Sequence, residues 1–138
     1  MVVLVKAAVD EIIAHALSEA NLEVCGIVGG KDGRVEKVYR ARNVSPTPRT
    51  NFEFHPKDFI DIDDEIPRAG MDLMGFYHSH VSSSPFPSQT DVIMWNPVHY
   101  PKAVQFICSL KNPSHPELRA FRFDEDTHLR EEPMTVED

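Results

Sequence analysis

The segment of residues 23–30, EVCGIVGG, most constrains what this chain can fold into. It is an almost unbroken apolar run that ends in two glycines, which is typical of a β-strand buried on both faces. Asp32 and Gly33 follow as a turn signal, and residues 34–41 supply the second strand of a hairpin. We therefore expect a central sheet with other layers packed on it.

Helical and extended segments alternate along the rest of the chain. Apolar residues recur at helical spacing over residues 8–20, and Pro56 suits the first turn of a second helix that Pro67 and Gly70 would end. Further strands are predicted at residues 2–5, 51–54, 71–80, 103–110, 118–123 and 129–133. Because strands and helices interleave while hairpins also occur, the pattern predicts an α/β fold with a central mixed sheet flanked by helices. We expect one domain over residues 1–138.

Composition and charge narrow the classes of partner. Hydrophobic residues make up 41% and charged residues 26%, which is typical of a folded globular chain. The 14 basic residues against 22 acidic ones give a net charge of -8 without any basic run, so we expect no nucleic-acid partner. No apolar stretch approaches the ~20 residues that a membrane span needs, and we expect a soluble, cytoplasmic protein without a membrane partner. Cys25 and Cys108 lie in apolar surroundings, which predicts buried thiols in a reducing compartment.

The segment from His78 to Asp91 contains the candidate metal-binding and catalytic residues. His78 and His80 lie at positions i and i+2, so both side chains point to the same side of an extended strand. Ser88 precedes a short helix whose first turn contains Asp91. A catalytic zinc ion takes three such ligands and keeps one position for water. The alternative without a metal site is a pair of histidines in a loop, followed by an ordinary capped helix, since neither feature is specific alone.

This constellation resembles the JAMM motif of the MPN+ metalloprotease family. Seven residues separate His80 from Ser88, two separate Ser88 from Asp91, and Glu23 lies upstream in EVCGIVGG. The resemblance implies a deaminase-like α/β/α MPN domain. It also implies one zinc ion per chain bound by His78, His80 and Asp91, with Glu23 as the general base and Ser88 supporting the transition state.

Within that family the chain is most similar to stand-alone bacterial members that act on ubiquitin-like sulfur-carrier proteins. SPTPRTNFEFHP before the histidines and YPKAVQFICSL after them carry this resemblance, whereas Val81 stands where many members have proline. The implied reaction is zinc-dependent hydrolysis of an amide bond at the Gly-Gly C-terminus of such a carrier, with release of cysteine or a small adduct. We expect the SPTPRT and SSSPFPS segments to border the cleft.

Several alternatives remain at this point. The same chemistry could serve a deubiquitinase-like peptidase on another ubiquitin-like modifier, and a non-catalytic MPN interaction module would share the fold without needing the ligands. A zinc deaminase would require a Cys-x-x-Cys pair, which this chain lacks. Without the motif, Glu23 would be an ordinary surface acid and Cys25 a small core residue. The sequence does not determine the oligomeric state, and it is compatible with a homodimer.

Overall fold

A mixed β-sheet forms the centre of the computed structural model, which describes residues 1–95 and 100–138. The strands within these residues are β1 (Val2–Val5), β2 (Cys25–Lys31), β3 (Arg34–Ala41), β4 (Asp72–His80), β5 (Val104–Ser109), β6 (Glu117–Phe123), β7 (Leu129–Glu131) and β8 (Met134–Glu137). The helices are α1 (Lys6–Ser18), α2 (Pro56–Arg68) and α3 (Gln89–Met94).

The strands hydrogen-bond in the order β7-β6-β5-β4-β2-β3-β1-β8. β4 runs parallel to β5, and β1 runs parallel to both β3 and β8, whereas the other neighbours are antiparallel. The predicted mixed sheet is therefore confirmed. β2 and β4 are interior strands of this sheet, as the apolar composition of EVCGIVGG indicates.

Alternating side chains of the interior strands build a core on each face of the sheet. Val28 and Tyr77 pack in the same core as Ile12 of α1. Their neighbours Ile27 and Phe76 pack in the other core, which also contains Ile62 and Ile66 of α2. Because successive residues of a strand point to opposite faces, α1 and α2 lie on opposite sides of the sheet. The predicted α/β/α layers are confirmed.

The hairpin between β2 and β3 turns where the sequence predicts. Asp32 and Gly33 both have positive φ, 54° and 77°, as a two-residue turn of this kind requires. Just before the turn, the pairing of β2 with β3 shifts register between Gly29 and Gly30. At Gly30 a Cβ atom would overlap the carbonyl oxygen of Arg34, so the close approach of the two backbones there needs glycine.

Three local predictions are wrong. Residues 51–54 form no strand, since only an isolated bridge joins Asn43 to Phe54. Pro67 lies inside the last turn of α2 instead of ending the helix. α1 starts at Lys6, two residues before the first residue of the predicted helix. The structure also contains a strand that was not predicted, β8, which pairs with β1 from the far end of the chain.

Among the described residues, no helix is long and apolar enough to cross a bilayer.

Candidate active site

The structure brings His78, His80 and Asp91 to one point at the end of β4. The two Nε2 atoms lie 3.1 Å apart, and Asp91 Oδ2 lies 3.2 Å from His78 Nε2 and 3.0 Å from His80 Nε2. Ligands of a tetrahedral zinc ion, each about 2.0–2.1 Å from the metal, stand about 3.3 Å from one another. Two nitrogens and one carboxylate oxygen at this spacing fit a zinc ion, and all three residues are buried.

Asp91 is aimed by the start of α3. Ser88 caps the helix: its hydroxyl oxygen accepts from the Asp91 N–H at 3.0 Å, and its own N–H donates to Asp91 Oδ2 at 2.9 Å. This reciprocal pair forms a capping box with aspartate in the third helical position. The helix start therefore fixes the carboxylate that faces the two histidines.

The ring of His80 is held in one tautomer. Its Nδ1 lies 2.8 Å from the carbonyl oxygen of Ser84, which can only accept, so Nδ1 carries the proton. In the neutral ring this leaves a lone pair on Nε2, the nitrogen that faces Asp91. The loop after Val81 thus folds back onto its own histidine, although Val81 stands where the resemblance would place a proline. It is also tied down where the Ser109 hydroxyl donates to the Ser83 carbonyl oxygen at 2.6 Å.

Asp91 keeps its negative charge among the three candidate ligands. Complete burial lowers the pKa of His78 below its ordinary value. Burial acts in the same sense on His80, but hydrogen bonds with Asp91 and Ser84 raise its pKa overall. For Asp91, burial alone would raise the pKa, yet its polar contacts with the two imidazole rings and the hydrogen bond from the Ser88 N–H hold the pKa well below its usual range. The aspartate is therefore an anion close to two imidazole nitrogens.

Glu23 reaches the same end of the sheet from β2. It lies two residues before Cys25, which pairs with His78 across the β2–β4 ladder. Glu23 as a residue is 5% exposed, and within the described part of the chain its Oε1 has no hydrogen-bond partner. Burial raises the pKa of Glu23 to about 7; the charge of His80 lowers it and that of Asp91 raises it. A buried carboxylate with a free acceptor and such a pKa can take a proton from water near neutral pH.

An apolar cavity of about 230 Å³ adjoins His78. We call it the aromatic pocket; it is lined by Phe52, Phe54, Phe59, Phe76, Met94, Trp95, Tyr100 and Gln105. Phe52 stacks on the His78 ring with centroids 4.4 Å apart, and Trp95 meets the same ring edge-on at 6.0 Å. Two residues that line the aromatic pocket, Phe52 and Trp95, therefore also pack on the candidate ligand His78.

Sequence reasoning missed the residues that support the site. Phe52 and Trp95 pack on His78, and Asn43 bonds the backbone of Glu23 with an Nδ2 to O distance of 2.8 Å. One signal was present, since asparagine two residues before Ser45 favours a turn in which the side chain accepts from that N–H. Nothing local indicates the contact with Glu23, which lies 20 positions away.

The other cysteine, histidine and aspartate residues considered below are not part of the candidate active site. Burial raises the pKa of the Cys25 thiol to about 12, so this buried residue is not an activated nucleophile. His15 is hydrogen-bonded to the Tyr77 hydroxyl at 2.7 Å in the core. His99 lies outside the described residues. Asp124, Asp126 and His128 do gather near the surface, but one Asp124 oxygen already accepts from the backbone N–H groups of the other two, which describes a turn.

Comparison with known proteins identifies the family of the chain. Residues 5–124 match the family described as prokaryotic homologs of the JAB domain. The chain is 39% identical over 106 residues to a desampylase of Haloferax volcanii, covering 72% of this chain and 74% of that protein. It is 28% identical over 130 residues to the CysO-cysteine peptidase of Mycobacterium tuberculosis, covering 93% and 86%. A JAB1/MPN domain protein from Archaeoglobus fulgidus has the same fold, with a TM-score of 0.63 at 15% identity over 100% of this chain and 98% of that one.

The fold and the His-His-Asp group together define a hydrolase of the JAMM type. The chain belongs to the family of prokaryotic homologs of the JAB domain, and the resemblance to JAMM/MPN+ proteins predicted from the sequence is confirmed.

Proposed function

We propose that this chain is a zinc-dependent hydrolase that cleaves an amide bond at the C-terminus of a ubiquitin-like sulfur-carrier protein and releases cysteine or a small adduct. The observation that carries the proposal is the buried Glu23 carboxylate beside three converging ligand atoms. Its Oε1 lacks a partner among the residues described, so it is free to accept a proton from a water molecule at the site.

Each residue then has a distinct task. His78, His80 and Asp91 would hold one zinc ion, which when bound supplies Lewis-acid activation of water and of the scissile carbonyl. Glu23 takes the proton of the attacking water and returns it to the departing amine, a role that suits its pKa of about 7. The Ser88 oxygen accepts from Asp91, which leaves the hydroxyl proton for donation to the developing negative charge on the substrate.

The choice of a sulfur carrier rests on similarity and on shape. The CysO-cysteine peptidase is similar over 93% of this chain. An extended Gly-Gly tail has no bulky side chains, so it could approach the buried site along the sheet by main-chain hydrogen bonds. The segments between Glu23 and His78 contain no long insertion that would grip a second large protein, which favours a small leaving group. The proposed enzyme acts as a single domain over residues 1–138.

A second candidate is cleavage of whole-protein conjugates of a ubiquitin-like modifier. The similarity to the desampylase favours it, because that relative has the higher identity, 39%. The chemistry at Glu23, Ser88 and the three ligands would be the same, and only the leaving group would differ. A purely non-catalytic module is disfavoured because it would have no need for a buried, unpartnered glutamate.

Metal analysis and one cleavage assay test the proposal together. The purified protein should contain about one zinc per chain; the zinc should be lost in Asp91→Ala and retained in Glu23→Gln, and Glu23→Gln should keep only a small residual rate. Incubation with carrier-cysteine, carrier-protein and ubiquitin conjugates, followed by intact-mass analysis, identifies the leaving group. A fully active protein without metal would refute the zinc mechanism. A zinc-loaded protein that cuts none of the conjugates would refute the substrate class.

A further inference from the structure

The side chain of Asn43 uses all of its hydrogen-bonding positions. Its Nδ2 donates to the carbonyl oxygens of Glu23 at 2.8 Å and of Asn51 at 3.0 Å. Its Oδ1 accepts from the backbone N–H groups of Ser45 at 2.9 Å and of Glu53 at 3.0 Å. A carboxamide has two donors and two acceptor lone pairs, so every position is filled, and every partner is backbone.

The backbone at Glu23 is held from both sides. The loop of residues 43–53 binds it twice, through Asn43 and through Pro48, whose carbonyl oxygen accepts from the Glu23 N–H at 2.8 Å. β4 binds the next residue, because the Val24 N–H donates to the Ser79 hydroxyl at 2.8 Å and the Ser79 N–H donates to the Val24 carbonyl oxygen at 3.0 Å. The peptide units around Glu23 are therefore fixed by two separate segments.

Among the described residues, no hydrogen bond anchors Oε1 of the Glu23 side chain. Its Oε1 is buried and has no hydrogen-bond partner within the described ranges, so the place of the carboxylate depends on the backbone that carries it. The loop that holds this backbone also carries Phe52, which stacks on His78. Asn43 thus lies at the junction between the glutamate and the loop that packs on a candidate ligand.

We infer that Asn43 is a positioning residue that sets the place of the Glu23 carboxylate through the Glu23 main chain. The inference rests on the proposed function for its catalytic meaning. Misplacement of a reacting group by about 1 Å can cost about 100-fold in rate. Asn43 touches neither the metal ligands nor the proton that Glu23 transfers, so its loss should lower kcat and leave zinc binding intact.

The test is Asn43→Asp, which preserves the size of the side chain. The new carboxylate can still accept from Ser45 and Glu53, but it places negative charge against the carbonyl oxygens of Glu23 and Asn51. We expect kcat to fall about 10- to 100-fold, KM to change less than about twofold, and about one zinc per chain to remain.

Asn51→Asp is the matched control in the same loop. Within residues 1–95 and 100–138, the Asn51 side chain donates only to the hydroxyl groups of Thr47 and Thr50, at 2.9 and 3.3 Å. Hydroxyl groups can rotate and donate to a carboxylate, which carbonyl oxygens cannot. We therefore expect kcat of Asn51→Asp to stay within about twofold of the wild type.

A double mutant separates positioning from a general structural effect. If Asn43 acts through Glu23, adding Asn43→Asp to Glu23→Gln should change the residual rate less than about twofold. A further tenfold fall in that background would overturn the inference, as would a wild-type kcat in Asn43→Asp alone. Asn43→Ala, which removes the same donors without adding charge, gives the same test should Asn43→Asp fold poorly.

Hydrogen exchange gives a result that needs no substrate. In the zinc-free protein we expect the Glu23 amide, bonded to Pro48, to exchange about tenfold faster in Asn43→Asp, and the Val24 amide, bonded to Ser79, to change little. Unchanged exchange at Glu23 would overturn the inference. If the wild type cleaves no conjugate, the proposed function fails while this measurement still decides whether Asn43 holds Glu23.

Discussion

Glu23→Gln should stabilise the zinc-free protein at alkaline pH, although it is expected to leave only a small residual activity. Burial raises the pKa of Glu23 from an ordinary 4.5 to about 7. A carboxyl group whose pKa is raised by folding adds to stability below its unfolded pKa and loses that contribution as pH rises through the folded pKa. The wild type should therefore lose stability between pH 4.5 and about 7, and the variant should not.

The size of the stability difference follows from the same pKa shift of Glu23. At 1.36 kcal/mol per pKa unit, the step from 4.5 to about 7 corresponds to about 3 kcal/mol. Urea unfolding in a chelator, at pH 5 and pH 8, measures it directly. At pH 5 the wild-type carboxyl group is largely protonated and resembles the amide, so the two proteins should be similar. At pH 8 the variant should be more stable by up to about 3 kcal/mol.

The control for this measurement is Glu125→Gln, which changes an exposed carboxylate in the turn after β6. It should give the same difference from wild type at both pH values. Two results would refute the argument that the buried, unpaired carboxylate destabilises the native state. One is a Glu23→Gln variant that is less stable than the wild type at pH 8. The other is a difference in the free energy of unfolding between variant and wild type that is the same at both pH values.

Three further predictions address the ligands and their supports. Asp91→Asn preserves shape but weakens an anionic ligand, so zinc content by elemental analysis should fall well below one per chain, while retention of full zinc would exclude Asp91 as a ligand. Ser88→Ala should retain zinc, because the backbone N–H at position 88 still reaches Asp91 Oδ2, but kcat should fall about 10²–10³-fold; an unchanged kcat would remove Ser88 from the mechanism. Ser79→Ala leaves the buried Val24 N–H without its acceptor, and urea unfolding should show a loss of about 1–3 kcal/mol, against less than about 0.5 kcal/mol for the exposed Ser82→Ala.

The parts of the fold that could be predicted are those with local chemical signals. Asp32-Gly33 supplies the positive φ values of the hairpin turn, and Ser88 with Asp91 supplies a capping box. The i, i+2 spacing of His78 and His80 predicts a common direction from one strand, because the strand period is two residues. Each of these signals is decided within a few residues, so the distant context does not alter it.

The parts that could not be predicted depend on distant contacts. β8 exists because β1 offers a free edge, and nothing within Met134–Glu137 indicates that pairing. Residues 51–54 alternate like a strand, yet Phe52 and Phe54 pack into the aromatic pocket and only one bridge forms. The bond from Asn43 to Glu23 likewise joins two loops that the sheet brings together.

The arrangement of the candidate site depends on the register between β2 and β4. Glu23 comes from the start of one strand and the histidines from the end of the other, and the pairing of Cys25 with His78 is what aligns them. A slip of one residue would turn both histidines to the opposite face and place Ser79 where a ligand is required. Ser79 opposes that slip, because its N–H and hydroxyl both bond the backbone of Val24. The serine between the two candidate ligands therefore contributes to the site through register, while its neighbours contribute through their imidazole nitrogens.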